Sequence, residues 1–156
     1  MTGKYPIRTG VYPRVFEPDA KYGLLANETT IANYLKNEGY ATKIVGKWHL
    51  GYGENGTTNW AGEIKPSANE LGFDYHFALP TNHNDGFKTY VENHHLLWLK
   101  EGIIDLPKKP TTDQLTQVRY DDLGDTTLTA KGIEFIKENH ERPFFLYLAL
   151  TATHTH

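Results

Sequence analysis

The sequence contains no cysteine, so it encodes no disulfide staple, no thiolate metal ligand and no thiol nucleophile, and cysteine usage says nothing of the redox compartment. No apolar run approaches the roughly 20 residues needed to cross a bilayer, and Met1 opens no basic-then-apolar signal pattern. Neither charge sign dominates. Sixteen Lys and Arg stand against 19 Asp and Glu for a net charge of −3, and the interspersed signs leave no basic stripe for nucleic acid or anionic lipid. Repeats and low-complexity tracts are also missing. What is present is the make-up of an ordinary folded domain, 38% hydrophobic and 13% aromatic over 156 residues, enough to bury one core.

Along the chain, α and β patterns alternate, which predicts an α/β fold with a largely parallel sheet. Residues 29–38 read as a helix: Thr29 or Asn27 can cap it, Ile31, Ala32 and Leu35 share a face, and Gly39 sits where a left-handed residue closes a helix. Tyr40 to Val45 follows as a strand. Residues 51–124, rich in Gly, Asn, Pro and aromatics, show weak periodicity apart from a short apolar run at 96–99 and read as active-site loops and insertions. A second helix is expected from Asp125 to about Asn139, with Leu128, Ile133 and Ile136 inward. Arg142-Pro143 then breaks the chain before Phe144–Leu150, a continuous apolar run of the kind buried on both faces.

The chemistry concentrates at the ends of the two predicted strands. Gly46-Lys47-Trp48-His49-Leu50-Gly51 sets a cation and an imidazole two residues apart. In extended geometry both would point to one side, with Trp48 on the packing side. Open α/β sheets bind ligands at the carboxyl ends of their strands, and a lysine beside an imidazole suits an anionic oxyacid. His154 falls just past the last strand, so a second imidazole can reach the same crevice for acid–base work near neutral pH. His154 and His156 could also be read as a metal-binding pair, although zinc needs more ligands than these two supply. In the loop Pro80-Thr81-Asn82-His83-Asn84-Asp85, the side chains of Asn82 and His83 could hydrogen-bond an oxyanion or a hydroxyl group, with a plain surface turn as the alternative. His94, His95 and His140 read as solvated.

Four landmarks carry a family resemblance: Met1 to Gly10, Gly46 to Gly51, Leu71-Gly72-Phe73-Asp74, and Pro143 through Thr153-His154. In that order they resemble the formylglycine-dependent (type I) sulfatases, in the branch of arylsulfatase A and N-acetylgalactosamine-6-sulfatase. The resemblance implies an alkaline-phosphatase-like sandwich and an interior fragment, residues 1–156, of its N-terminal catalytic domain. It implies sulfate-ester hydrolysis with Ca2+ and a formylglycine made from a cysteine, or in some members a serine, that would precede Met1. The calcium carboxylates would also lie outside the chain. Within it, Lys47 would hold sulfate oxygens, His154 would protonate the leaving oxygen, and His49 would take a proton to release sulfate from the covalent intermediate. The partner would be a sulfated small molecule or glycan, and the setting lysosomal, secreted or periplasmic. The alternatives are a non-catalytic truncated or degenerate paralogue and a phosphatase-type relative.

Overall fold

The computed structural model describes residues 1–13, 15–16, 20, 23–53, 58–82, 89–97 and 124–153. Helix α1 (Ile31–Asn37) leads into strand β1 (Ala41–Lys47), and β2 (Tyr75–Leu79), β3 (Val91–Glu92) and β4 (His95–Leu96) follow. Helix α2 (Gly124–Asn139) and strand β5 (Phe144–Ala149) complete the described elements. They form one sheet in the order β4-β3-β2-β1-β5, with β1 parallel to both β2 and β5 and with β3 and β4 antiparallel. The α/β reading with a mostly parallel sheet therefore holds. None of the described helices is long and apolar enough to cross a membrane.

Local chemistry sets where α1 begins. Thr30 takes the cap that the sequence suggested for Thr29 or Asn27. Its hydroxyl oxygen accepts from the N–H groups of Ala32 and Asn33, and the Asn33 side chain returns the favour to the Thr30 N–H. The Thr30 hydroxyl also reaches Leu71 O at 2.6 Å, fixing the helix start to a 3₁₀ turn at Ala68–Leu71. Gly39 closes α1 with φ +83°, as expected.

The sheet separates two apolar clusters because successive strand residues face opposite ways. On one side Ile44 packs with Trp48, Tyr52, Trp60, Ile64, Leu71 and Phe73. On the other, Val45 packs with Phe77, Leu79, Tyr90 and Leu128 of α2. The Gly72-Phe73-Asp74 turn locks β2 beside β1: Gly72 lies at φ +98° with Asn33 N only 2.4 Å from where a Cβ would be, and Asp74 accepts from the Thr42 N–H at 2.9 Å.

Four expectations need correction. The tract 51–124 is not only loops, since β2, β3 and β4 lie within it and β2 is a central parallel strand. Helix α2 buries Gly124, Leu128, Gly132, Phe135 and Asn139, whereas Ile133 and Ile136 are exposed. Ile31 is likewise exposed. Strand β5 is not covered on both faces: among the described strands it pairs only with β1, and Tyr147 and Leu148 are 40% and 42% exposed.

Candidate active site

The register brings three carboxyl ends together, because Lys47 pairs with Leu79 and Gly46 with Ala149. Gly46 is what allows the last contact. Its φ is +123°, and a Cβ there would stand 2.0 Å from Ala149 O, so a side chain would force β1 and β5 apart at the point where the site begins.

Lys47 is the last residue of β1, and its ammonium donates to Asn82 Oδ1, three residues past the end of β2. Two residues that are 35 apart in sequence are thereby joined at the strand ends. The segment after β1 continues beside the segment after β2, with the Trp48 N–H on Leu79 O at 2.9 Å and the His49 N–H on Pro80 O at 3.0 Å. Trp48 lies in the core and its indole N–H caps Gly51 O at 2.7 Å, as the packing-side reading requires. His49 departs from the extended alternation. The strand stops at Lys47, and His49 adopts φ +53° with 8% exposure, so a left-handed turn rather than the strand pleat aims its ring. His83, His154 and His156 lie outside the described residues.

Behind Trp48 sits a histidine that sequence reading passed over. His76 on β2 is fully buried, stacks on Tyr52 at 5.7 Å and lies 5.9 Å from the Trp48 ring. Its Nε2 meets the Tyr52 hydroxyl at 3.2 Å and its Nδ1 faces Asn93 O at 3.3 Å. Burial drives its pKa down to about 3, so it stays neutral and serves as a rigid back wall. A polar residue inside an otherwise apolar five-residue strand is the only sequence signal it leaves. His94, read as solvated, instead holds Glu70 at 2.9 Å. Burial alone would raise the Glu70 pKa, but the Ser67 N–H and His94 outweigh it and the net shift is downward. His140 remains exposed.

Asp125, at the start of α2, grips the chain that follows β5. Its carboxylate accepts from the Thr151 N–H at 2.7 Å, the Thr151 hydroxyl at 2.9 Å and the Ala152 N–H at 2.7 Å. Sequence reading used Asp125 only to mark a helix start. The clamp holds the backbone just before His154.

Calcium takes about six to eight oxygen ligands. The described strand ends offer the Asn82 amide oxygen, already engaged by Lys47, and no group of three or more His, Asp or Glu among the described residues could hold a metal ion. These residues do not make a calcium site. The arrangement does offer a fixed cation and a sheltered imidazole at the mouth of a parallel sheet, a setting for an anionic group.

The family model described as Sulfatase matches residues 1–156. The chain is 35% identical over 168 residues to an arylsulfatase of Hemicentrotus pulcherrimus, covering 99% of this chain and 27% of that protein. To an N-acetylgalactosamine-6-O-sulfatase of Bacteroides thetaiotaomicron it is 30% identical over 195 residues, covering 99% and 37%. It thus spans about a third of the length of these relatives. A solved sulfatase structure reported in connection with glycosaminoglycan metabolism by Bacteroides thetaiotaomicron superposes with a TM-score of 0.81 at 28% identity, covering 99% of this chain and 40% of that one. The sheet and its helices are accordingly part of an alkaline-phosphatase-like fold.

Proposed function

Because this chain belongs to the sulfatase family, we propose that the protein hydrolyses sulfate monoesters, with a sulfated sugar as the substrate class. The observation that carries this reading is the Lys47 ammonium held on Asn82 at the carboxyl end of β1, inside the Gly46–Gly51 segment. A fixed cation there stabilises charge that grows on sulfate oxygens as the S–O bond lengthens. The sugar assignment draws on the named activity of the N-acetylgalactosamine-6-O-sulfatase relative and on the glycosaminoglycan setting of the solved structure.

In this reading His154 donates a proton to the departing ester oxygen, and His49 accepts the proton given up on the nucleophile's side. Asn82 orients Lys47 and, with His83, offers hydrogen bonds to sulfate or sugar. The family's calcium and formylglycine come from outside residues 1–156. No residue of this chain can become a formylglycine: it has no cysteine, and its one serine, Ser67, is buried and caps the 68–71 turn.

The test is the full-length protein carrying this chain, assayed on 4-nitrophenyl sulfate and on a 6-sulfated amino sugar. Lys47→Ala should lower kcat/KM by about 10²–10³ with an unchanged melting temperature. A variant that keeps the parent's kcat/KM would overturn the assignment.

A further inference from the structure

The turn that aims His49 carries backbone strain, since φ +53° is unfavourable for any residue with a Cβ. Such a conformation persists only where the surroundings over-determine it. The near end of the turn is tied to the end of β2 by the Trp48 N–H on Leu79 O and the His49 N–H on Pro80 O, and its middle by the Leu24 N–H on Leu50 O at 2.8 Å. At its far end the tie is a side chain. The Tyr52 hydroxyl meets Nε2 of His76, inside β2, at 3.2 Å.

His76 is itself held by Asn93 through three atoms. Asn93 Oδ1 accepts from the His76 N–H at 3.0 Å, the Asn93 N–H donates to His76 O at 2.7 Å, and Asn93 O faces His76 Nδ1 at 3.3 Å. A carbonyl oxygen only accepts, so Nδ1 carries the ring hydrogen and Nε2 accepts from the Tyr52 hydroxyl. The bond therefore has one direction and one tautomer. The His76 ring also lies against both ends of the turn, 5.9 Å from the Trp48 ring and 5.7 Å from that of Tyr52. Two apolar rings of similar shape would fill the same space at about the same stability. They would not fix Tyr52 along a single vector, which a satisfied polar pair in an apolar core does.

We infer that Tyr52 and His76 are positioning residues for His49, their hydrogen bond fixing the far end of the turn that aims its ring. Both are buried behind that turn, 1% and 0% exposed, and act through it. The consequence for turnover rests on the catalytic role proposed for His49 above, whereas the positioning itself does not.

The experiment compares the full-length parent with Tyr52→Phe, His76→Phe and the double variant Tyr52→Phe/His76→Phe. Each single change leaves a buried polar partner unsatisfied and should lower the melting temperature, and the double change removes both partners and should recover most of that loss. In the folded double variant, diethyl pyrocarbonate at pH 7 followed by peptide mapping should label His49 at least about 5-fold faster than in the parent, because a loosened turn opens more often. The exposed His140 should be labelled at the parent's rate. On a sulfate ester kcat should stay about 10-fold below the parent's despite the recovered melting temperature, since a shift of roughly 1 Å is enough for such a loss. Tyr52→Phe, which removes one oxygen and keeps the ring, carries the same labelling test should the double variant not fold. His49 labelled at the parent's rate in these variants would overturn the inference. Faster labelling with the parent's kcat would leave it standing and take His49 out of the reaction.

Discussion

At the residue scale, the two imidazoles proposed as catalytic, His49 and His154, would act at different moments, and their loss should read differently. If His154 protonates the departing oxygen, His154→Ala should cost about 10²–10⁴-fold on sugar sulfates and far less on 4-nitrophenyl sulfate, whose leaving oxyanion needs little protonation. His49→Ala should slow both substrates alike, and equal leaving-group dependence in the two variants would reverse the assignment. His76 makes a separate prediction through linkage. Its folded pKa of about 3 lies below the unfolded value near 6.5, so the unfolded chain binds the extra proton between those limits. The stability it confers is complete above about pH 6.5 and is lost as the pH falls toward 3. Thermal melts between pH 7 and 5, above the carboxylate range, should therefore show a falling melting temperature that His76→Phe flattens. Gly46→Ala should destabilise by about 2–4 kcal/mol, because the added Cβ meets the Ala149 carbonyl rather than a yielding side chain. A two-state melt within 0.5 kcal/mol of the parent, a figure of roughly neutral effect, would contradict that geometry.

At the scale of elements, α2 and the chain after β5 act as one unit through Asp125. Asp125→Ala should lower kcat/KM by about 10–10²-fold, since a shift of roughly 1 Å in a reacting group is enough for that loss. Asp125→Asn, which keeps the acceptor oxygen, should recover part of it, and equal loss in both variants would count against positioning. How much of this was readable varies by element. Helix α1, strand β1, helix α2 and strand β5 each announce themselves by punctuation: Gly39, Gly46, Asp125, and Arg142-Pro143, although the cap of α1 is Thr30 and not Thr29 or Asn27. Strand β2 does not, because Tyr75–Leu79 is short, carries a buried His76 in its interior and follows a turn whose Gly72 and Asp74 mimic a loop. The inward face of α2 differs from the periodicity for a related reason. Periodicity favours Ile133 and Ile136, but close approach to the sheet selects the small Gly132, beside which Leu148 lies 3.4 Å from a would-be Cβ. At the site, Lys47 and Trp48 followed from strand logic, whereas the aim of His49 depends on a positive φ that no pattern encodes.

At the scale of the whole molecule, β1 links the architecture to the proposed chemistry: it is the strand with a parallel neighbour on each side, it delivers Lys47 at its carboxyl end, and both apolar clusters rest on it. A polypeptide of these 156 residues alone should show no turnover of 4-nitrophenyl sulfate, since it encodes no residue able to become the nucleophile. Light scattering should find it self-associating, because among the described strands β5 is paired on one side only, with Tyr147, Leu148 and Leu150 each about two-fifths exposed. A monodisperse monomer would contradict this. The pairing of β1 with β5 also has a consequence in time. Ala41 is matched to Phe144, about a hundred residues later, and ribosomes add about 5–20 residues per second. During synthesis β1 therefore waits some 5–20 s for its second neighbour, with Ile44 and Val45 already emerged. That interval is long compared with hairpin formation or helix growth, so the yield of active protein should depend on what shields that strand during translation, and slowing synthesis between residues 47 and 144 should lower it.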